Sequence, residues 1–163
     1  VLLISFFLFF KINSQIEYNH SFGSSISVII SNGYSSLYPG FTYNPRLDYV
    51  IEDYFSISVT SYPTVGLNIF DYNHSFHIPL MFQFNLGNHA SKEADYLVGL
   101  FAGAGYSLGL FRDKPNIGGP FATLGLKFRD RRKTALRFDI LKGKDLSYFK
   151  TAKIYSIGIM FNF

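Results

Sequence analysis

The chain has 163 residues, no cysteine and a formal net charge of +4, with 48% hydrophobic, 19% aromatic and 16% charged residues. That length suits one domain with its own core, the aromatic content argues against disorder, and the lack of cysteine removes disulfides, thiol catalysis, acylation at a cysteine and cysteine-based zinc sites. The densest basic stretch, Arg129-Asp130-Arg131-Arg132-Lys133, is broken by an acid and reads as a solvated turn, so no nucleic-acid partner is expected.

Val1 to Phe10 is an unbroken apolar run, too short for a membrane helix, which takes about 20 residues. It suits the hydrophobic region of a secretory signal peptide with Ser14 near the cleavage point. Residues 1–14 are therefore expected to be a signal truncated at its start, and residues 15–163 the mature domain. No later run reaches the length of a membrane helix, so any crossing of a bilayer falls to strands.

After a polar lead-in, alternating segments succeed one another between short turn clusters. Ile26, Val28 and Ile30 share the first face, and Asn32-Gly33 marks a turn. Phe41, Tyr43, Pro45, Leu47, Tyr49 and Ile51 form the next stripe, opposite Thr42, Asn44, Arg46, Asp48 and Val50. A third stripe, from Phe55 to Ile69, keeps one parity through Pro63. The cleanest alternation sets Phe76, Ile78, Leu80, Phe82, Phe84 and Leu86 against His77, Pro79, Met81, Gln83, Asn85 and Gly87.

The fifth segment places Tyr96, Val98, Leu100, Ala102, Ala104, Tyr106, Leu108 and Leu110 opposite Gly99, Gly103, Gly105 and Gly109, glycines that leave room for large side chains from across a narrow interior. Gly103-Ala104-Gly105 lacks the third glycine of a dinucleotide fingerprint and the lysine of a P-loop, and it lies within a strand, so no nucleotide cofactor is expected. Ala122, Leu124, Leu126 and Phe128 then oppose Thr123, Gly125, Lys127 and Arg129. Thr134, Leu136, Phe138 and Ile140 oppose Ala135, Arg137, Asp139 and Leu141. The last stripe is Tyr155, Ile157, Ile159, Phe161 and Phe163.

About eight strands joined by short hairpins predict an all-β, eight-stranded antiparallel up-and-down barrel, which removes both sheet edges. Alternation alone allows the apolar stripe to face a soluble interior or lipid. Strands of about ten residues match a tilted crossing of a bilayer. The opposite face carries glycine, serine and charges of both signs, Arg46, Asp48, Lys127, Arg129, Arg137 and Asp139. That mixture fills a narrow lumen as a paired polar network and makes a sparse solvent coat. A transmembrane barrel with short loops is the expectation.

On these residues the chain resembles the small outer-membrane β-barrels of Gram-negative bacteria, of the OmpA/OmpX type in the porin-like group, from about residue 24 to 163. The terminal stripe, Tyr155, Ile157, Ile159, Phe161 and a last Phe163, matches that group's C-terminal assembly signal, and Tyr43 to Val59 looks like its early hairpin. The resemblance implies residence in the cell outer membrane and recognition of that signal by the barrel-assembly machinery. The chain departs from the group in having no tryptophan and very short loops.

No catalytic, cofactor or metal site stands out. His20 precedes the first expected strand, His74 and His89 lie in turns, and His77 is a lone residue on the lumen face, with no zinc-protease spacing. Pairing along a strand makes Arg46 with Asp48 and Arg137 with Asp139 suited to salt bridges that plug the interior; lining a conduction path is the other use of the same charges. With both chain ends periplasmic, Asn32–Leu37, Asp71–Ser75, Arg112–Gly119 and Gly143–Lys150 are the outer loops. Arg112, Lys114, Lys142, Lys144 and Lys150 then stand near the outer rim, where anionic lipopolysaccharide is a possible contact. The expectation is a monomeric structural or interaction barrel in outer-membrane lipid, not an enzyme. A membrane lipid-modifying enzyme and a soluble lipocalin-like carrier are the alternatives.

Overall fold

A computed structural model describes residues 15–31, 34–68, 70, 73–91, 94–112, 116–129, 133–145 and 151–162. The expected signal, 1–14, lies outside them. Nine strands follow one another: β1 (Gln15–Ser31), β2 (Tyr34–Glu52), β3 (Phe55–Ser61), β4 (Thr64–Leu67), β5 (His74–Gly87), β6 (Val98–Phe111), β7 (Ile117–Phe128), β8 (Thr134–Asp145) and β9 (Thr151–Asn162). β3 and β4 are one stave interrupted at Tyr62-Pro63, since both pair with β2 on one side and β5 on the other. Pro63 has no N–H to give the ladder, and its carbonyl still accepts the Tyr43 amide at 3.0 Å, which keeps β2 stitched across the break.

Each stave is antiparallel to its neighbour, and β1 closes the ring on β9, from Ser21 opposite Asn162 to Ser31 opposite Ala152. The result is a closed eight-stave barrel, below whose β1–β9 seam Gln15–His20 extend paired with β2. Its first hairpin is longer than the sequence indicates. β1 begins at Gln15 and β2 at Tyr34, so the expected lead-in and most of the expected loop Asn32–Leu37 are strand, and His20 lies within β1. Gln15–Ser25 and Tyr34–Gly40 lack an unbroken apolar alternation because Ser, Asn, Gly and Pro interrupt it. Pairing of β1 with β2, from Gln15 opposite Val50 to Ser31 opposite Tyr34, not side-chain pattern, holds them extended.

Exposure follows the period of two. Phe41, Leu80, Phe82, Leu124, Ile140 and Ile157 point outward and are exposed, whereas Arg46, Asp48, Gln83, Asn85, Lys127 and Arg137 point inward and are at most 5% exposed. A soluble barrel has the reverse distribution. This one matches a wall that meets hydrocarbon, where closure satisfies every ladder hydrogen bond internally.

With the end holding Gln15 and Asn162 as the lower end, the lumen has two halves. The upper half is an apolar cluster in which Ile29, Tyr38, Phe111, Ile117, Phe121, Leu141 and Ile154 are all buried. The lower half is polar.

Candidate functional site

The lower lumen is built around two ion pairs, each made by residues two apart on one strand and hence on one face. On β2, Arg46 Nε lies 2.8 Å and 2.9 Å from the two Asp48 oxygens. Asp48, fully buried, also accepts hydrogen bonds from Asn19 Nδ2 at 2.6 Å and from the Ser58 hydroxyl. On β8, Arg137 Nε lies 2.8 Å from Asp139 Oδ2, and Asp139 accepts the Thr123 hydroxyl at 2.7 Å. The Arg137 guanidinium stacks 4.2 Å from the centre of the Tyr62 ring. Removing these ions from water costs several kcal/mol each, so the surrounding donors and acceptors decide whether the pairs are tolerated.

A chain of amides joins the two pairs. Tyr62 donates to Gln83 Oε1 at 2.5 Å, and Gln83 donates to Asn85 Oδ1 at 2.5 Å. Asn85 donates to Ser58 Oγ at 2.6 Å, which returns the path to Asp48. Lys127 Nζ joins by donating to Asn85 Oδ1 at 2.8 Å and sits over the Phe101 ring. Of the six charges expected in this network, Arg46, Asp48, Lys127, Arg137 and Asp139 are thus in one buried interior. Arg129 is a correction: it is 53% exposed and paired with Asp95, because β7 ends at Phe128 and the inward parity no longer applies.

The lower mouth is covered by the β5–β6 connection. Gly87 and His89 have φ of 71° and 59°, which turns the chain inward and buries Asn88, Ala90 and Ser91. The His89 carbonyl accepts from both Arg46 Nη2 and Lys127 Nζ at 3.2 Å, and Ser91 Oγ donates to the Asp53 carbonyl at 3.0 Å. Sequence reading assigned this connection no role. Tyr62 and the Gln83–Asn85 link were not foreseen as network members. The inward parity of Gln83 and Asn85 was the available signal.

In the upper half, Ser107 Oγ lies 2.5 Å from His77 Nε2, with the Phe121 ring packed 5.6 Å from the imidazole. The adjoining cavity, lined by Tyr38, Thr64, His77, Phe111 and Ile154 among others, is about 10 Å³, room for about one water. Among the described residues no three His, Asp or Glu side chains converge on a metal position. Tyr155, Ile157 and Ile159 face outward on β9 with Phe161 half-exposed below them; Phe163 lies outside the described residues, as do Lys114 and Lys150.

A closed eight-stave ring, apolar outside and filled with polar side chains within, defines the fold of the small transmembrane β-barrels. Among solved structures, that of Ail, the attachment invasion locus protein of Yersinia pestis, is similar with a TM-score of 0.58 at 14% identity, covering 90% of this chain and 97% of that one. Neisserial surface protein A is similar with a TM-score of 0.55 at 14% identity, covering 91% and 99%. The likeness at these identities is one of fold. No family model and no curated protein matches the sequence.

Proposed function

We propose that the chain is an integral outer-membrane β-barrel with a structural or interaction role, its lumen plugged by its own side chains, and that it is not an enzyme. The observation that carries this reading is the continuity of the interior: the path from Arg46–Asp48 through Asn85, Gln83 and Tyr62 to Arg137 is capped below by His89 and above by the apolar cluster. A solute path needs an open column of water, and a catalytic site needs access for substrate. The outward apolar wall supplies the lipid contact that a bilayer-resident barrel requires.

A lipid-hydrolase reading has the Ser107–His77 contact in its favour. That pair points into the lumen, away from the bilayer, beside a space too small for an acyl ester. It acts here as an interior hydrogen bond.

The test is outer-membrane fractionation followed by electrophoresis with and without boiling, together with a phospholipid-turnover assay on the unaltered protein and His77→Ala. The reading expects an outer-membrane protein whose migration shifts on heating and no lipid turnover by either form. A soluble protein with no heat shift, or turnover that His77→Ala abolishes, overturns it.

A further inference from the structure

At the lower mouth a single neutral oxygen answers two positive charges. Arg46 Nη2, on β2, and Lys127 Nζ, on β7, each lie 3.2 Å from the His89 carbonyl oxygen. A carbonyl carries only a partial charge, and hydrogen bonds of this kind are strongest when donor and acceptor are both ionised. The two cations differ in what else they have. Arg46 has Asp48 at 2.8 Å from its Nε, whereas Lys127 has only neutral acceptors, Asn85 Oδ1 at 2.8 Å and His89. Among the described residues no carboxylate forms an ion pair with the Lys127 ammonium, although the side chain is 2% exposed. A buried cation without a counter-ion is costly.

The turn that supplies the carbonyl is itself poorly satisfied. Asn88 is 3% exposed, and its Nδ2 has no acceptor among the described residues. His89 holds a φ of 59°, in the left-handed region that residues with a Cβ adopt sparingly. The turn is tied to its surroundings by few bonds, among them Ser91 Oγ to the Asp53 carbonyl at 3.0 Å and the Asn88 amide to the Val98 carbonyl at 3.3 Å. His89 is half-buried, so this one turn separates the water below from both cations.

We propose that Arg46 and Lys127 form a binding site for a small oxyanion, a phosphate or a carboxylate, which enters from the lower end and takes the place of the His89 carbonyl. The anion's oxygen receives both donors and gives Lys127 the counter-charge it lacks. Outward movement of residues 88–91 at the same time returns the Asn88 amide to water. The site is blind, because the apolar upper half closes the barrel above it.

The test uses the folded full-length protein in detergent and compares phosphate, acetate and chloride at equal ionic strength. The chain has no cysteine, so Ser91→Cys places a single thiol on the turn. Phosphate or acetate should raise its alkylation rate severalfold, and chloride should leave it unchanged. Calorimetric titration of the unaltered protein gives the dissociation constant. Lys127→Met removes a hydrogen bond to a charged group and should weaken binding about tenfold or more. If that variant does not fold, Lys127→Gln carries the same test, because it keeps a donor for Asn85 without the charge.

Unchanged affinity in the Lys127 variant overturns the proposal, as does an alkylation rate indifferent to phosphate and acetate. An equal response to chloride overturns the assignment to an oxyanion. A response to phosphate alone, or to acetate alone, supports the site and identifies its ligand. The inference rests on the plugged-barrel reading. Unaltered protein without heat-shifted migration refutes that reading, whereas a heat-shifted barrel that binds neither oxyanion refutes this inference alone.

Discussion

The two halves of the lumen are closed by different physics. Above, Ile29, Phe111, Phe121, Leu141 and Ile154 exclude water by packing, a contribution that scales with buried apolar area and tolerates exchange of one apolar group for another. Below, Arg46, Asp48, Lys127, Arg137 and Asp139 exclude it by pairing, Arg46 with Asp48, Arg137 with Asp139 and Lys127 with Asn85. A satisfied buried pair adds little over an apolar pair of the same volume, whereas half a pair is expensive. The upper half is thus expected to respond to lost volume, and the lower half to lost partnership.

The largest effect separating them is Arg137→Ala. It leaves Asp139 buried without its ion partner and should cost about 3–5 kcal/mol of unfolding free energy. Replacing Arg137 and Asp139 together with leucine should cost clearly less, and equal losses in denaturant titrations of the two variants in detergent would break the distinction. In the upper half Leu141→Ala, at a position with no exposure, should cost about 2–5 kcal/mol through lost transfer energy and a cavity. Leu141→Met should recover most of it, which the same titration measures.

Overpacking gives a smaller test. A Cβ added at Gly109 would lie 3.0–3.1 Å from the Phe111 ring and 3.5 Å from Ile154. Gly109→Ala should therefore cost about 1–3 kcal/mol, part of it relieved by Phe111→Leu. The smallest is Ser107→Ala, which removes the contact with His77 and should lower stability by about 1 kcal/mol with lipid turnover unaffected.

The contrast between the halves also sets what the sequence discloses. Period-two stripes such as Phe76 to Leu86 identify the strands and their two faces, because a half-buried ladder imposes alternation on local sequence. They place Arg46 beside Asp48 and Arg137 beside Asp139, since each pair lies on one strand. They do not reveal that Tyr62, Gln83 and Asn85 join the pairs, because that link depends on barrel curvature bringing β2, β3, β5 and β8 around one interior. Arg129 was misplaced for a related reason: parity extends along a sequence indefinitely, but a strand ends. The apolar upper lumen escaped notice because its members are isolated inward residues scattered over β1, β2, β6, β7, β8 and β9, each with polar or small neighbours on its own face.

The inward turn of residues 88–91 depends on positive φ at Gly87 and His89. Glycine marks such a turn in sequence, whereas histidine there gives no warning. Its backbone carbonyl, not a side chain, receives Arg46 and Lys127, and a carbonyl is present at every position of any chain.

Both halves of the lumen are shut, and conductance across a planar bilayer measures that directly. The unaltered protein should insert without ohmic current steps, and Arg137→Leu/Asp139→Leu should also remain silent because the apolar upper half still seals the barrel. Steady current steps from the unaltered protein would contradict it.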